Sequence, residues 1–332
     1  MQNFSPEFKT PEQYIIDITY KIWEEQEVER IHEWYAADCP VRTPGGVSNT
    51  AEEVINDTLY SMKIFPNRDL LAEDIIIGDL AEGFLSSHRV RSVGVHKGDG
   101  YLGPATNRPV TMLAIADCLC RNNQVVEEWV LADQARNLIQ LGIDPLAYGK
   151  NVGKNNREAY AIGNDAMRER WANPEGLTIV GDKAIAQRIM DTYSAIWNDK
   201  NLAVMDERYD RALRFEGPGV EPNYGRNNTA NLLTSMLASI PDGRFEPHYI
   251  IVRQQEERPV RVALRWTVCG THSGHGRYGD PTGSPVAILG ISHFELRDGL
   301  IVNEWFVMDE VAVYAQIAAY SQTDHNIKLI TQ

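Results

Sequence analysis

Apolar residues recur at helical spacing in the first sixty positions of this chain. Tyr14, Ile15, Ile18, Ile22 and Trp23 predict an amphipathic helix. Thr10-Pro11-Glu12-Gln13 is its start, with Thr as N-cap, Pro at the first helical position and Gln at the third. Residues 28–35 continue as a second short helix, and 39–47 read as extended chain turning at Pro44-Gly45-Gly46. Thr50-Ala51-Glu52-Glu53 is a second capping box, and Val54, Leu59 and Met62 are the apolar positions of a third helix. From Leu70 the period becomes that of strands. Segments 71–77, 83–95, 111–120 and 125–131 alternate between turn signals, the last of them Arg121-Asn122-Asn123. A terminal helix follows over 133–142, with Gly142 just past its end and Asp144-Pro145 beyond. Three helices before a long-stranded meander is an α+β order.

The same order then returns. Ile185, Ile189, Tyr193, Ile196 and Trp197 line a helix beginning near Asp182, and 203–209 forms the next. An irregular stretch, 215–226, carries Pro218, Gly219 and Pro222 before a third helix over 229–240. Pro241-Asp242-Gly243-Arg244 leads into strands as Pro66-Asn67-Arg68 does earlier. Adding 176 to Arg89, Gly94, His96, Gly98, Gly103, Thr106, Pro109, Glu128, Trp129 and Asp133 reaches the identical residue each time. The matches are Arg265, Gly270, His272, Gly274, Gly279, Thr282, Pro285, Glu304, Trp305 and Asp309. Upstream, Trp23 and Tyr35 match Trp197 and Tyr209 at an offset of 174. One repeat of this length means two copies of one domain, expected over 12–144 and 182–322. The Gly-, Asn- and charge-rich segment 145–181, with a short helical pattern over 157–171, reads as a linker wrapped on the surface.

Composition changes this picture little. A chain of 332 residues has room for two cores, and 43% hydrophobic with 23% charged residues is ordinary for a globular protein. A net charge of −14 argues against a nucleic-acid partner. No apolar run approaches a membrane span, and the first ten residues lack the basic and apolar regions of a signal peptide. A cytoplasmic protein is therefore expected, with Cys39, Cys118, Cys120 and Cys269 as reduced, buried thiols. There is no P-loop, no GxSxG and no dinucleotide fingerprint. His272 and His275 share a glycine loop without an evident third ligand, so neither a metal nor a cofactor is expected.

The residues that organise the repeat are clearest in the second copy. Arg265-Trp266 leads into Gly270-Thr271-His272, then Pro281-Thr282-Gly283, a hairpin turn at Asp298-Gly299, and Glu304-Trp305 with Asp309 four residues on. In these motifs the chain resembles the SnoaL-like polyketide cyclases of the NTF2-like superfamily. The resemblance covers both copies and is more complete in the second, since the first has Pro104-Ala105-Thr106-Asn107 in place of the Pro-Thr-Gly sequence. It implies two tandem α+β cones, each of three or four helices closing a curved, mostly antiparallel sheet around a ligand cavity. It also implies pairing of such domains through their sheets, here an intramolecular pseudo-dimer, with further homo-oligomerisation left open. The expected partner is a small-molecule substrate.

The family uses an aspartate at the position of Asp309 and Asp133 as its acid/base group. Asp309 follows Trp305 and Val307 on one strand face, so an apolar wall would raise its pKa toward a useful range. The alternative is a helix cap, since both aspartates precede helical patterns. His272 and His96 either shuttle a proton or fasten the glycine loop by hydrogen bonding. Arg265 and Arg89 either orient substrate or form a salt bridge to Glu304 and Glu128. The copies differ elsewhere. His293 and Glu295 share a face in the second, where the first has Asp117 and Leu119, and His88 stands where the second has Leu264. His293 with Asp309 is the candidate acid/base pair, against the reading of His293 as a satisfied core histidine. Arg265, Trp305, Glu295, His88, Asp117 and Trp129 are the candidate substrate-binding residues. Two functions fit: a cofactor-independent acid/base enzyme (cyclase, isomerase, lyase or hydrolase) acting on a small carbonyl-containing or polycyclic compound, or a non-catalytic small-molecule binder.

Overall fold

The computed structural model describes residues 3–174 and 176–321. The chain divides into two compact units at Ile143/Asp144, each with its own curved mixed sheet packed by helices. The architecture is α+β, as the sequence pattern predicts.

Unit 1 opens with α1 (Pro11–Thr19), where the Thr10 side chain accepts from the Gln13 N–H and Pro11 begins the helix. A π-helical turn at Tyr20–Glu24 and a 3-10 turn at Val28–Arg30 lead to α2 (Ile31–Trp34). The short hairpin β1 (Val41–Thr43) and β2 (Gly46–Ser48) precedes α3 (Ala51–Ile64), capped by Thr50 accepting from the Glu53 N–H. The meander is β3 (Asp69–Asp79), β4 (Phe84–Val95), β5 (Pro109–Arg121) and β6 (Gln124–Ala132). Sheet order is β2-β1-β6-β5-β4-β3, with β1 parallel to β6. Asn122 and Asn123 both take positive φ in the β5–β6 turn, which asparagine tolerates better than most residues. Helix α4 (Gln134–Leu141) closes the unit and ends at Gly142, φ +78°.

Because side chains alternate across a strand, register decides which residues share a wall. Three rows across β4, β5 and β6 face the helices: Ser86–Cys118–Glu128, His88–Ala116–Val130 and Val90–Ala114–Ala132. The core of unit 1 lies toward the β5–β6 turn. There Tyr14, Ile18, Trp34, Phe84, Cys120 and Val125 pack together, and Tyr14 donates to the Asn123 carbonyl at 3.0 Å.

Unit 2 begins with α5 (Pro145–Asn155), α6 (Arg157–Tyr160), α7 (Asn164–Trp171) and β7 (Thr178–Val180). The segment expected to be a linker is thus largely helical and packs within unit 2. Helix α5 lies against the last helix, α11 (Glu310–Ser321), and α7 against the sheet. Cβ atoms at Gly149 and Gly153 would meet Tyr314 Cβ at 2.6 Å and the Ala315 carbonyl at 2.0 Å. These glycines permit a close helix crossing and are not loop residues.

The repeat follows: α8 (Lys183–Trp197), α9 (Met205–Arg208), β8 (Tyr209–Glu216), β9 (Asn223–Tyr224) and α10 (Arg226–Ser239). The strands β10 (Arg244–Arg253), β11 (Val260–Thr271), β12 (Pro285–Arg297) and β13 (Leu300–Met308) complete it. Sheet order is β7-β10-β11-β12-β13-β8-β9. Asp298 and Gly299 both have positive φ, as the expected two-residue hairpin turn requires. The equivalent rows are Val262–Phe294–Glu304, Leu264–Ser292–Phe306 and Trp266–Gly290–Met308. The four cysteines are free and buried. Among the described residues no helix is long and apolar enough to cross a membrane.

Candidate functional site

Unit 1 is hollow. A cavity of about 330 Å³ lies between its sheet and helices. Ile15, Ile18 and Thr19 of α1 and Trp23 cover it from one side, and Val54, Asp57, Thr58 and Ser61 of α3 from another. Its floor is made by His88, Ala116, Val130, Ala114, Ala132, Cys118 and Glu128, all members of the three rows. Small side chains at 114, 116, 118, 130 and 132 leave the space open.

Glu128 and His88 are the ionisable groups of that floor besides Cys118, whose thiol burial pushes well up. The Tyr35 hydroxyl donates to Glu128 Oε2 at 3.0 Å, and Cys118 Sγ lies 3.7 Å from Oε1. Burial nevertheless dominates and pushes the Glu128 carboxyl up to about 7, against the lowering effect of those two donors. His88 is pushed down to about 4 by burial, so its imidazole is neutral at physiological pH. Among the described residues its Nε2 has no hydrogen-bond partner. Both groups therefore sit in a recessed, largely apolar space in forms that can exchange a proton or a hydrogen bond with a bound molecule. Arg68, just before β3, and Tyr101 complete the lining where the cavity continues into a recess of about 30 Å³.

In unit 2 the corresponding space is occupied by side chains. Trp266 replaces Val90, Phe294 replaces Cys118, Phe306 replaces Val130 and Met308 replaces Ala132, each 176 positions on. Tyr193 stands where Thr19 does, 174 positions on. The rings of Tyr193, Trp266, Phe294 and Phe306 pack against one another with centroids 5.0–6.5 Å apart. The Tyr193 hydroxyl meets Ser292 Oγ at 2.6 Å and donates to Glu304, while Trp266 Nε1 donates to Ser292 at 3.1 Å. Glu304 is also pushed up to about 7 by burial, with Tyr209 beside it as Tyr35 is beside Glu128. Even the rim differs. Tyr101 and Gln134 line the cavity of unit 1, and at the matching positions the half-buried Arg277 pairs with the buried Glu310.

The residues singled out by motif lie elsewhere. Asp133 Oδ1 accepts from the Arg136 N–H at 3.0 Å, and Asp309 Oδ1 from the Val311 N–H at 2.9 Å. Both are placed as caps at the starts of α4 and α11. Asp309 does share a strand face with Trp305 and Val307, but the helix-packed core of unit 2 is built from the other face, with Phe294, Phe306 and Met308. His293, Arg265, Glu295 and Trp305 belong to the same outer face as Asp309. There Arg265 lies over the Tyr249 ring at 4.7 Å, Glu295 accepts from Asn303, Arg214 lies over Trp305, and His293 is fully buried. In unit 1, Asp117 and Trp129 likewise project away from the cavity. Asp117 accepts from Ser87, and Arg42 stacks on Trp129 at 4.7 Å. Arg89 pairs with Glu73 at 3.1 Å; Glu128 points through the other face, so the expected Arg89–Glu128 bridge does not form. His96 and His272 fasten their loops: each Nδ1 lies 3.1 Å from a threonine hydroxyl, Thr106 and Thr282, and each backbone carbonyl accepts from the loop.

Of the expected site residues, then, only His88 lines the cavity. Glu128 and Tyr35 belong to the repeat, Glu128 as the expected partner of Arg89, but the sequence marks neither as a site residue, and Thr19 and Arg68 carry no motif. The signal that finds the cavity is the contrast in side-chain size between the copies at Thr19, Val90, Cys118, Val130 and Ala132; Glu128, Tyr35 and Arg68 are the same residue in both.

Residues 187–317 match the family model of the SnoaL-like polyketide cyclases. Unit 2 is thus a SnoaL-like domain, and the two sheets are consistent with two NTF2-like domains in one chain. Similar solved structures include IdmH from Streptomyces antibioticus, 24% identical with a TM-score of 0.36, covering 40% of this chain and 99% of that one. TsrD from Streptomyces laurentii is 21% identical with a TM-score of 0.36, covering 42% and 98%. AclR from Streptomyces galilaeus is 23% identical with a TM-score of 0.34, covering 41% and 97%. No curated protein matches the chain.

Proposed function

We propose that unit 1 holds a cofactor-independent acid/base site, with Glu128 as the proton-transferring group and His88 as its companion. The substrate is a small carbonyl-containing ring compound. The observation that carries this reading is a buried carboxyl near neutral pKa facing a largely apolar cavity. At neutral pH such a group is divided between its two forms, which is where a general acid/base is most effective. The carboxylate takes a proton from the carbon beside the substrate carbonyl, giving an enolate. His88, neutral and unpartnered at Nε2, hydrogen-bonds the carbonyl oxygen as charge develops there. Glu128 then returns the proton, to the same carbon or to another. Isomerisation follows when the proton returns elsewhere, and ring closure when the enolate carbon attacks a second carbonyl and Glu128 gives its proton to the alkoxide that forms. Tyr35 holds the carboxyl in place, and the apolar walls exclude water.

The test is deuterium exchange. Cyclic ketones that raise the melting temperature are incubated with the protein in D2O, and the signal of the proton beside the carbonyl is followed by NMR. Glu128→Gln keeps the side-chain shape and an acceptor for Tyr35. It is expected to bind the same ketones yet slow exchange by about two to four orders of magnitude. Equal exchange by the variant would remove Glu128 from the reaction. Binding without exchange, even by the wild type, would favour the second reading, a non-catalytic binder. One observation supports that reading: Glu304 has the same raised pKa and a matching tyrosine in a space already filled with side chains.

A further inference from the structure

We infer that the cavity of unit 1 selects an amphipathic anion, a small apolar ring system whose carboxylate or phenolate is held by Arg68. This deepens the site proposed above and rests on its being a ligand site. Arg68 is the lone Lys or Arg in the cavity lining. Its Nη2 donates to Ser61 Oγ at 3.3 Å, and its Nε is buried without a hydrogen-bond partner among the described residues. Burial lowers its pKa, and no carboxylate contributes to offset that; the phenol of Tyr101 alone acts in the other direction. A guanidinium is planar and presents donors in a fork that matches a carboxylate. Asp57, the acid of the lining nearest in sequence to Ser61, accepts from Ser48 and forms no ion pair with Arg68 among the described residues, so the guanidinium is poised for an anion from outside the chain.

Its place in the sheet fits this role. Arg68 precedes Asp69, which pairs with Val93, so its backbone stands beside Gly94, and its side chain shares the small recess with Ser92 and Met112. Glu128 pairs with Cys118, level with Ser86. Eight residues separate Ser86 from Gly94, about 26 Å between backbone positions along the strand, a span the two side chains shorten by reaching into the same cavity. The cation and the carboxyl therefore occupy opposite ends of the cavity, and Ala114, Ala116 and Val130 supply an apolar floor between them. That separation keeps Arg68 from pairing with Glu128 and leaves the carboxyl near neutral. The volume is at the small end for a ligand pocket, which suits one or two fused rings rather than a large polycycle. In unit 2 the matching residue is Arg244, an exposed residue, and the interior is filled.

The experiment compares two probes with one ring body, 2-naphthoate and the neutral 2-naphthamide, by calorimetric titration at neutral pH. The full chain is used as wild type, Arg68→Gln and Val130→Phe, the last copying Phe306 to fill the cavity. Wild type should bind naphthoate roughly 10- to 100-fold more tightly than the amide, the usual worth of a hydrogen bond to a charged group. Arg68→Gln should equalise the two probes while still binding the amide, and Val130→Phe should bind neither. Equal affinities in wild type, a preference that survives Arg68→Gln, binding that survives Val130→Phe, or no binding of either probe at millimolar concentration would each overturn the inference. The comparison in wild type needs no variant, so it decides the matter even if Arg68→Gln fails to fold. Glu128→Gln separates this inference from the acid/base reading. If the anion preference persists while deuterium exchange is unaffected by that variant, the chemistry is wrong and the anion site stands. If exchange depends on Glu128 but Arg68→Gln leaves the preference intact, the reverse holds.

Discussion

Where unit 1 carries Val90, Ala114 and Ala132 across its sheet, unit 2 carries Trp266, Gly290 and Met308. The glycine belongs with the tryptophan: a Cβ at position 290 would lie 2.1 Å from the indole ring. Large and small residues have thus been chosen together in unit 2, as dense packing requires. What the copies keep is the frame. The histidine–threonine clasp of the glycine loop, the aspartate at the start of the closing helix, and the tyrosine beside a buried glutamate are present in both. What they do not keep is the interior. One copy leaves a chamber with a reactive carboxyl on its wall, and the other covers that carboxyl with Tyr193 where Thr19 stood. A shared motif therefore identifies the scaffold, and the side chains that differ identify the site.

The comparison can be broken hardest in unit 2. Arg277→Ala would leave Glu310 buried without its cation, and a loss of about 3–5 kcal/mol is expected by urea denaturation. Arg277→Tyr with Glu310→Gln, the nearest approach to unit 1, should recover most of that loss. Trp266→Val, which copies Val90, should cost about 3–5 kcal/mol because the cavity it opens faces rigid aromatic neighbours. If Trp266→Val were neutral, the filled interior would not be what stabilises unit 2.

The two glutamates sharpen the comparison through pH. Each has a folded pKa of about 7 against a reference of 4.5. The folded state holds the proton more tightly, so its contribution is complete below pH 4.5 and is lost as pH rises through 7. Each group carries on the order of 3 kcal/mol across that window. Thermal melts of Glu128→Gln and Glu304→Gln should each fall less steeply than wild type between those limits. A ligand anchored in unit 1 should alter the profile only while Glu128 is present. The smallest effect is expected at the caps. Asp309→Asn and Asp133→Asn should shift stability by less than about 0.5 kcal/mol, since Asn caps as well as Asp, and should leave probe binding unchanged. A large loss of deuterium exchange in Asp309→Asn with normal melting would return the acid/base role to that aspartate.

Much of this protein is local and could be read from the chain. Thr10, Thr50, Asp133 and Gly142 mark helix ends because capping involves residues three or four positions apart. The strands of both meanders follow from alternation, and the second copy follows from the constant offset. Segment 145–181 was misleading because Gly149 and Gly153 carry loop signals locally, and their reason for being glycine is a partner helix some 160 residues away. The candidate site was harder still. Motif and alternation placed Trp305, Val307 and Asp309 on one face, as they are, but alternation alone does not say which face the helices cover. That depends on how α1 and α3, or α8 and α10, dock on the sheet, a choice made by the summed burial of many apolar side chains. Whether the space beneath them is empty depends on volumes contributed by residues far apart in sequence, such as Thr19, Ala114 and Val130. The chain by itself therefore determined the elements, their order and their duplication; tertiary packing decided which copy is hollow, because an enclosed volume is a property of many distant side chains and of none alone.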